Sequence, residues 1–468
     1  MLPSSRDDAR ALALIARYGR TATAFQALGR GLSHWFPPRA DLQRDDTGLV
    51  AFAMVPGGVV AVGEPTAAPD DAMAVAEAFV ASARAAKRRV SFFATEGNLA
   101  ASPHFGRLLL GEQPVWNPQH WRAQLQGHRS LREQVRRARA KGVRVVPLAD
   151  ATHHVQGAVD ALLHRWVATR SMAAMQFVVD VDPLGHASTR RLFAAMQGTR
   201  MVALLSMAPV PARNGWLFEH LLRDPEAPNG TAELLVDAGM QALAADEVTW
   251  ATLGLAPLKG PIRGWLRVVR ALSRPLFNFA GLAAFKRKLG PERWEPIYLV
   301  YPQAQGSVWS VIDVLRAFAG GSLLLFGWRT VRRGSPAVLR ALEWLLIPWT
   351  IALALAPAAV PWFPHTGVHT AWVLFDVGLV IALRALRQTP ATAPRAPRLA
   401  TGLAVAVTVD AVCTAAQAVL WTVPHLPANR GTAGLVVVLV ACAGPLLAAR
   451  VLWGLQRRLR SLRSAPAR

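Results

Sequence analysis

Thr432–Trp453 reads TAGLVVVLVACAGPLLAARVLW, an apolar run interrupted only by Arg450. Its length fits the ~20 residues a helix needs to cross a ~30 Å hydrocarbon core. Three similar runs precede it, at Leu339–Val360, Val368–Leu386 and Ala400–Val423. The last third of this 468-residue chain is therefore expected to hold four membrane-spanning helices. Their flanks alternate in charge. Arg329, Arg332, Arg333 and Arg340 stand before or at the start of the first run, and Arg384, Arg387, Arg395 and Arg398 stand from the end of the second to the start of the third. Arg457, Arg458, Arg460, Arg463 and Arg468 follow the fourth, whereas loops Pro361–Gly367 and Pro424–Gly431 hold Arg430 alone. Cationic loops stay in the cytoplasm, so both termini and the large N-terminal region are expected there.

Charge divides at residue 306. Beyond it, 16 Lys and Arg stand against four acids, an excess that topology explains. Before it, 36 stand against 25. That surplus either meets anionic headgroups or a nucleic acid, or is a solvated basic surface. Cys413 and Cys442 both fall in apolar runs, so neither a disulfide framework nor a metal site is expected. Arg6, Asp7, Asp8 and Arg10 occupy the place of a signal peptide's apolar core, and no cleaved signal is expected. Only five of 52 basic residues are Lys, and Lys259, Lys286 and Lys288 crowd together. Lys, unlike Arg, can supply a deprotonatable amine.

Upstream of the apolar runs the pattern is α+β. Asp7–Leu28 has helical spacing with Ser5 as cap, and Leu49–Val62 is a hairpin around Pro56-Gly57-Gly58. Helix Asp70–Ala86, strands Arg89–Thr95 and Gly106–Leu110, basic helix Ser130–Lys141 and strand Arg144–Pro147 follow. The order then restarts. Helices are expected at Asp150–Arg170 and Thr189–Met196, then hairpin strands Met201–Pro209 and Trp216–Leu222. Helix Thr231–Ala244, strand Val248–Leu255, helical Pro261–Lys288 and strand Ile297–Tyr301 complete it. This repeated order suggests a tandem duplication. Asp313 and Arg316 make Ser310–Trp328 an interfacial helix.

Three constellations could carry chemistry. In the basic helix, Arg129, Arg132, Arg136 and Arg139 line one face, beside an apolar face of Leu131, Val135, Ala138 and Gly142. Such a stripe suits a phosphodiester backbone or lipid phosphate; a solvated face is the alternative. Glu233 and Asp237 share a helix face at i, i+4 and could bind an ammonium or relay a proton. Glu233 also fits a capping box. Lys286, Arg287 and Lys288 could hold phosphate or polarise a carbonyl, or be a solvated run. Asp376 and Asp410 lie near the middles of two apolar runs, either on a headgroup or proton path or as protonated acids facing each other. Gln26–Gly31 fits a Q-x-x-G-x-G pyrophosphate loop but follows no strand and enters no helix, so it is set aside.

Together these segments resemble the catalytic region of bacterial phosphatidylglycerol lysyltransferases. The matching stretches are Gly63-Glu64-Pro65, Leu131-Arg132 with its basic helix, Pro228-Asn229-Gly230-Thr231-Ala232-Glu233-Leu234-Leu235 and Leu253-Gly254-Leu255-Ala256-Pro257-Leu258. Phe285-Lys286-Arg287-Lys288 running into Trp294-Glu295-Pro296-Ile297-Tyr298-Leu299 completes the set. The resemblance implies an α+β fold of tandem GNAT-like domains, here followed by an all-α transmembrane domain. Segments 1–148 and 149–306 would be the two GNAT-like domains, 307–336 a linker, 337–456 the four spans and 457–468 a basic cytoplasmic tail. It also implies transfer from aminoacyl-tRNA to a phosphatidylglycerol hydroxyl at a bacterial inner membrane, without a cofactor. Glu233 and Asp237 would position or deprotonate, and Lys286 would stabilise the oxyanion. Arg223, Asn229 and Lys288 would hold substrate, and the Arg stripe the tRNA. Anionic lipid, the bilayer and a second copy in a homo-oligomer are the other partners this allows. Family members carry their membrane helices ahead of the catalytic region, so lipid flipping is not inherited here. Competing readings are a GNAT-like acyltransferase with another donor or a peptidoglycan-precursor acceptor, and a non-catalytic lipid-sensing module.

Overall fold

Apolar alternation in short runs builds one mixed sheet, and long apolar helices follow it. The computed structural model describes residues 6–38, 48–148, 152–170, 172–262, 264–267, 279–332, 336–355, 363–389, 393–425 and 431–464. The chain divides into two compact units: 1–167 with 174–326, and 168–173 with 327–468.

Among the described residues the first unit holds thirteen strands. In chain order these are β1 Ser33–Trp35, β2 Gly48–Val55, β3 Gly58–Val62, β4 Thr66–Ala67, β5 Arg89–Thr95, β6 Phe105–Trp116 and β7 Val143–Pro147. Then come β8 Arg191–Gln197, β9 Arg200–Val210, β10 Gly215–Arg223, β11 Trp250–Thr252, β12 Ala256–Pro257 and β13 Arg293–Pro302. Across the sheet the order is β1-β2-β3-β5-β13-β6-β11-β10-β9-β8-β7, with β4 on β2 and β12 on β6. Each half repeats one scheme. An antiparallel hairpin (β2–β3, β9–β10) leads through a helix to a parallel strand, giving β3–β5 and β10–β11. The crossing helices are Ala72–Ala85 and Thr231–Ala245. The predicted hairpin at Leu49–Val62 forms because Gly57 takes the left-handed φ of +77° its turn requires.

The sheet corrects several expectations. A boundary at residue 148 does not part the lobes, because β13 inserts between β5 and β6 while β7 edges the far half. Thr189–Met196 is not a helix: Arg191–Gln197 is a strand hydrogen-bonded to β7 and β9. Its side chains serve two cores, Phe193 and Ala195 on one face and Ala194 on the other, which only an extended chain permits. The first helix runs Asp8–Tyr18 with Asp7 as its cap, accepting from Arg10 N; Ser5 lies outside the described residues. Gly142 follows the basic helix Arg129–Ala140 with φ +78° and is not on its apolar face. Of Pro261–Lys288, Phe279–Lys288 is a helix, and 263 and 268–278 lie outside the described residues.

Among the described residues of the second unit, three helices are long and apolar enough to cross a membrane: Thr366–Gln388, Ala396–Thr422 and Gly434–Arg460. Of the expected span Leu339–Val360, the structure describes 339–355, nearly all of it in the helix Pro336–Ala354; 356–362 lie outside the described residues. Helices Ser307–Phe318 and Leu323–Val331 reach the threshold only if taken together across a sharp bend. Leu379, Leu383 and Leu386 share a core with Leu403, Val407, Ala400 and Ala404, the two alanines being small residues that allow close approach. Outward faces are apolar and exposed, as at Leu374, Ile381, Val412 and Leu439. Polar groups turn inward instead. Arg387 Nε meets Glu343 at 3.0 Å and Trp372 Nε1 donates to Gln417 Oε1 at 2.7 Å. Asp376 and Asp410 are both buried, the latter accepting from Thr414 Oγ1 at 3.2 Å.

Candidate active site

The repeated parallel step matters most in the second half. β10 and β11 pair only as far as Leu217↔Thr252, after which β10 continues to Arg223. β11 instead turns away through Gly254 (φ +69°). A bulge between Phe218 and His220 bends β10 at the same level. The sheet therefore parts there. On one face lie helices Thr231–Ala245 and Phe279–Lys288, packed through Phe218, Leu235 and Leu289. On the other lies the turn Phe25–Leu28, packed through Leu217 and Trp250.

On the Phe25 face a cavity of about 140 Å³ is lined by Phe25, Gln26, Asp182, Arg190, Glu219 and His220, among others. Arg190 Nη1 donates to Glu219 Oε2 at 2.5 Å and Gln26 Nε2 to Glu219 Oε1 at 3.1 Å. The guanidinium of Arg190 also stacks 4.9 Å from the Phe25 ring centroid. Burial pushes the Glu219 carboxyl up, but His220, Arg190 and Gln26 together outweigh it and hold the group below its usual range. Burial pushes the His220 imidazole down, against Glu219 and with Arg190. The His220 ring is buried and lines the cavity. At the matching place in the first half, Thr21 and Thr23 pack onto Gly63 and only about 10 Å³ remains nearby. The two halves share a scheme, but the cavity beside the second is the larger of these two.

Sequence reasoning missed Arg190, Glu219 and His220. The signal available was the pair of polar residues inside the apolar strand GWLFEHLLR. Gln26, in the stretch Gln26–Gly31 set aside as a pyrophosphate loop, reaches the cavity.

The opposite face gathers most of the residues the sequence singled out. Lys286 is 4% exposed and its Nζ donates to the carbonyls of Leu253, Gly254 and Leu255, each at 2.8 Å. Burial lowers this ammonium to about 7, while three converging carbonyl oxygens favour the charged form. All three N–H bonds are occupied, which fixes the Gly254 turn and leaves none for an oxyanion in this arrangement. Lys288 Nζ meets Glu233 Oε1 at 2.8 Å. Asp237, fully buried, accepts from Trp121 Nε1 (3.0 Å), Gln241 Nε2 (2.7 Å) and Arg139 Nη2 (3.0 Å). The two acids share a helix but not a partner. Arg223 Nη2 donates to Ala227 O at 2.6 Å and Asn229 Oδ1 at 3.4 Å, while its buried Nε has no hydrogen-bond partner among the described residues.

The basic helix docks through Leu131, Val135 and Ala138, as its spacing predicts, with Arg129, Arg132, Arg136 and Arg139 exposed. Glu133 engages Arg136 (2.9 Å) and Arg137 (2.8 Å), and Arg139 is tied to Asp237. Among the described residues no acid pairs with Arg129 or Arg132, and these two carry the stripe's remaining charge.

A tandem GNAT-like sheet, parted beside a polar cavity, defines a protein of the acyltransferase fold class. The family model described as phosphatidylglycerol lysyltransferase, C-terminal, matches residues 12–301. The chain belongs to this family. Among solved structures it is similar to the C-terminal domain of a putative lysylphosphatidylglycerol synthetase from Agrobacterium fabrum, at TM-score 0.57 and 19% identity over 67% of this chain and 97% of that one. L-PGS from Bacillus licheniformis gives TM-score 0.57 and 18% identity over 69% and 98%. An uncharacterised protein of Corynebacterium glutamicum is 22% identical over 64% of this chain, which spans only 40% of that relative's length.

Proposed function

We propose that the chain is a membrane-bound aminoacyltransferase that moves an amino acid from aminoacyl-tRNA to a hydroxyl of phosphatidylglycerol or a similar anionic lipid. The parting of β10 from β11 supports this best, because it opens a polar cavity on one face opposite a Lys/Glu/Arg cluster on the other. Two unlike substrates can then meet through the sheet rather than compete for one entrance. The lipid oxygen attacks the ester carbonyl, a new ester bond forms, and the bond to the tRNA 3′ oxygen breaks. The hydroxyl proton passes to neutral His220 and on to the departing tRNA oxygen. Glu233 receives the amino group of the aminoacyl ester. Asp237 fixes the basic helix through Arg139, and Arg129 and Arg132 meet the tRNA backbone. Arg223 and Lys288 hold phosphate with Asn229 setting the Arg223 rotamer, and Lys286 holds the rim turn. An oxyanion role for Lys286 would require it to release one carbonyl. Arg-rich loops favour a cytoplasmic sheet, and Asp376 with Asp410 would serve a headgroup or proton path.

Full-length protein in phosphatidylglycerol vesicles is expected to pass label from aminoacyl-tRNA into lipid, with ribonuclease treatment abolishing transfer. His220→Ala should lower kcat by about 10²–10⁴. Absence of lipid labelling with every aminoacyl-tRNA supplied, or labelling indifferent to ribonuclease, would remove the reading.

A further inference from the structure

The helix Ser307–Phe318 is pinned to the sheet by its one acid. Asp313 is fully buried and receives Arg89 Nε and Nη2 at 2.8 Å each, with Arg316 at 3.5 Å. Gly58 lies against that carboxylate, where a side chain would collide with it. Gln305 adds a second tie, accepting from Val90 N at 3.0 Å and donating to Ser310 Oγ at 2.8 Å. Such a helix is a fixture of the sheet.

Its other face is unusual for a docked helix. Val308, Trp309 and Leu315 are exposed, Trp309 at 52%, and Leu323, Leu324 and Leu325 continue the row, Leu324 at 88%. Cations rim it. Arg89 lies 5.2 Å from the Trp309 ring centroid, and Arg88 and Arg316 are held at the neighbouring turn by the carbonyls of Val55 and Pro56. An indole and leucines bordered by guanidiniums is the composition of a headgroup boundary, where apolar surface enters the acyl region and cations meet lipid phosphate. The chain runs on from this row into membrane-length helices, so a bilayer is tethered to it.

We infer that the row Val308, Trp309, Leu315 and Leu323–Leu325 lies in the headgroup–acyl boundary of one leaflet, making the sheet a surface-seated unit. This seating requires a bilayer and is independent of the aminoacyl-transfer reading.

The test uses full-length protein with Cys413→Ser and Cys442→Ala, carrying Val308→Cys, Leu315→Cys or Leu324→Cys labelled with an environment-sensitive fluorophore. Ala81→Cys is the control, exposed on helix Ala72–Ala85, which packs on the opposite sheet face. In phosphatidylglycerol–phosphatidylcholine vesicles, labels at 308, 315 and 324 should emit blue-shifted light and be quenched by lipids spin-labelled near the headgroup. The label at 81 should show neither. Water-like emission at all four positions overturns the inference. So does a blue shift that spin-labelled lipid fails to quench, since protein, such as a second copy, would then cover the row.

Discussion

Asp224 shows how much a single buried carboxylate organises. It accepts from Glu226 N at 2.9 Å, Arg165 Nε at 2.6 Å and Arg200 Nη2 at 2.8 Å. Burial pushes it up, yet these donors hold it below the usual carboxylate range. Its contribution to stability is therefore complete above the ordinary Asp value of about 3.9 and lost as pH falls through the depressed one. Asp224→Ala should cost about 3 kcal/mol in denaturant unfolding at pH 7, and the gap from wild type should close in acid. Lys286 behaves oppositely. Its folded value near 7 lies below the ordinary Lys value, so the unfolded chain binds more protons and stability climbs with pH from about 7 to ~10. Lys286→Met should abolish that slope while destabilising the protein by about 1–3 kcal/mol, because three carbonyls lose their donor. Unfolding curves at pH 7 and 9.5 check both statements.

At the scale of elements, backbone geometry and charge act separately. Gly230 opens the helix Thr231–Ala245 with φ +94° and lies against the backbone of Gln134 on the basic helix, where a Cβ would collide with the carbonyl. Gly230→Ala should cost more than about 1 kcal/mol, since both the left-handed φ and the close approach oppose it; a lowered unfolding midpoint is the readout. Arg129→Glu with Arg132→Glu should leave that midpoint unchanged. It should weaken RNA binding and flatten its salt dependence by about one unit of slope for each phosphate no longer neutralised, measured by titration at several salt concentrations. Elements of this kind were legible in sequence wherever local periodicity decides them. The hairpin at Pro56-Gly57-Gly58 and the docking face Leu131, Val135, Ala138 are examples. Arg191–Gln197 was not, because RLFAAMQ suits a helix until strands on both sides claim its backbone.

For the whole molecule, the decisive fact is that β13, contributed by residues 293–302, is sandwiched between β5 and β6. A fragment ending at residue 148 would expose two long strand edges. Expressed alone, it should aggregate and lack cooperative unfolding, and supplying 149–306 on the same chain should restore it; size-exclusion chromatography with circular dichroism reports the outcome. The sequence by itself determined what depends on neighbours along the chain: the apolar helices, the Arg stripe and the motif around Asn229, Glu233 and Lys286. Meetings between residues far apart in the chain were decided by the tertiary structure alone. Gln26, Arg190 and Glu219 come together across 193 residues, and Lys286 spends its charge on the carbonyls of a turn 31 to 33 residues away. No spacing rule encodes such encounters, because strand order, and not separation along the chain, sets which polar groups share a buried space.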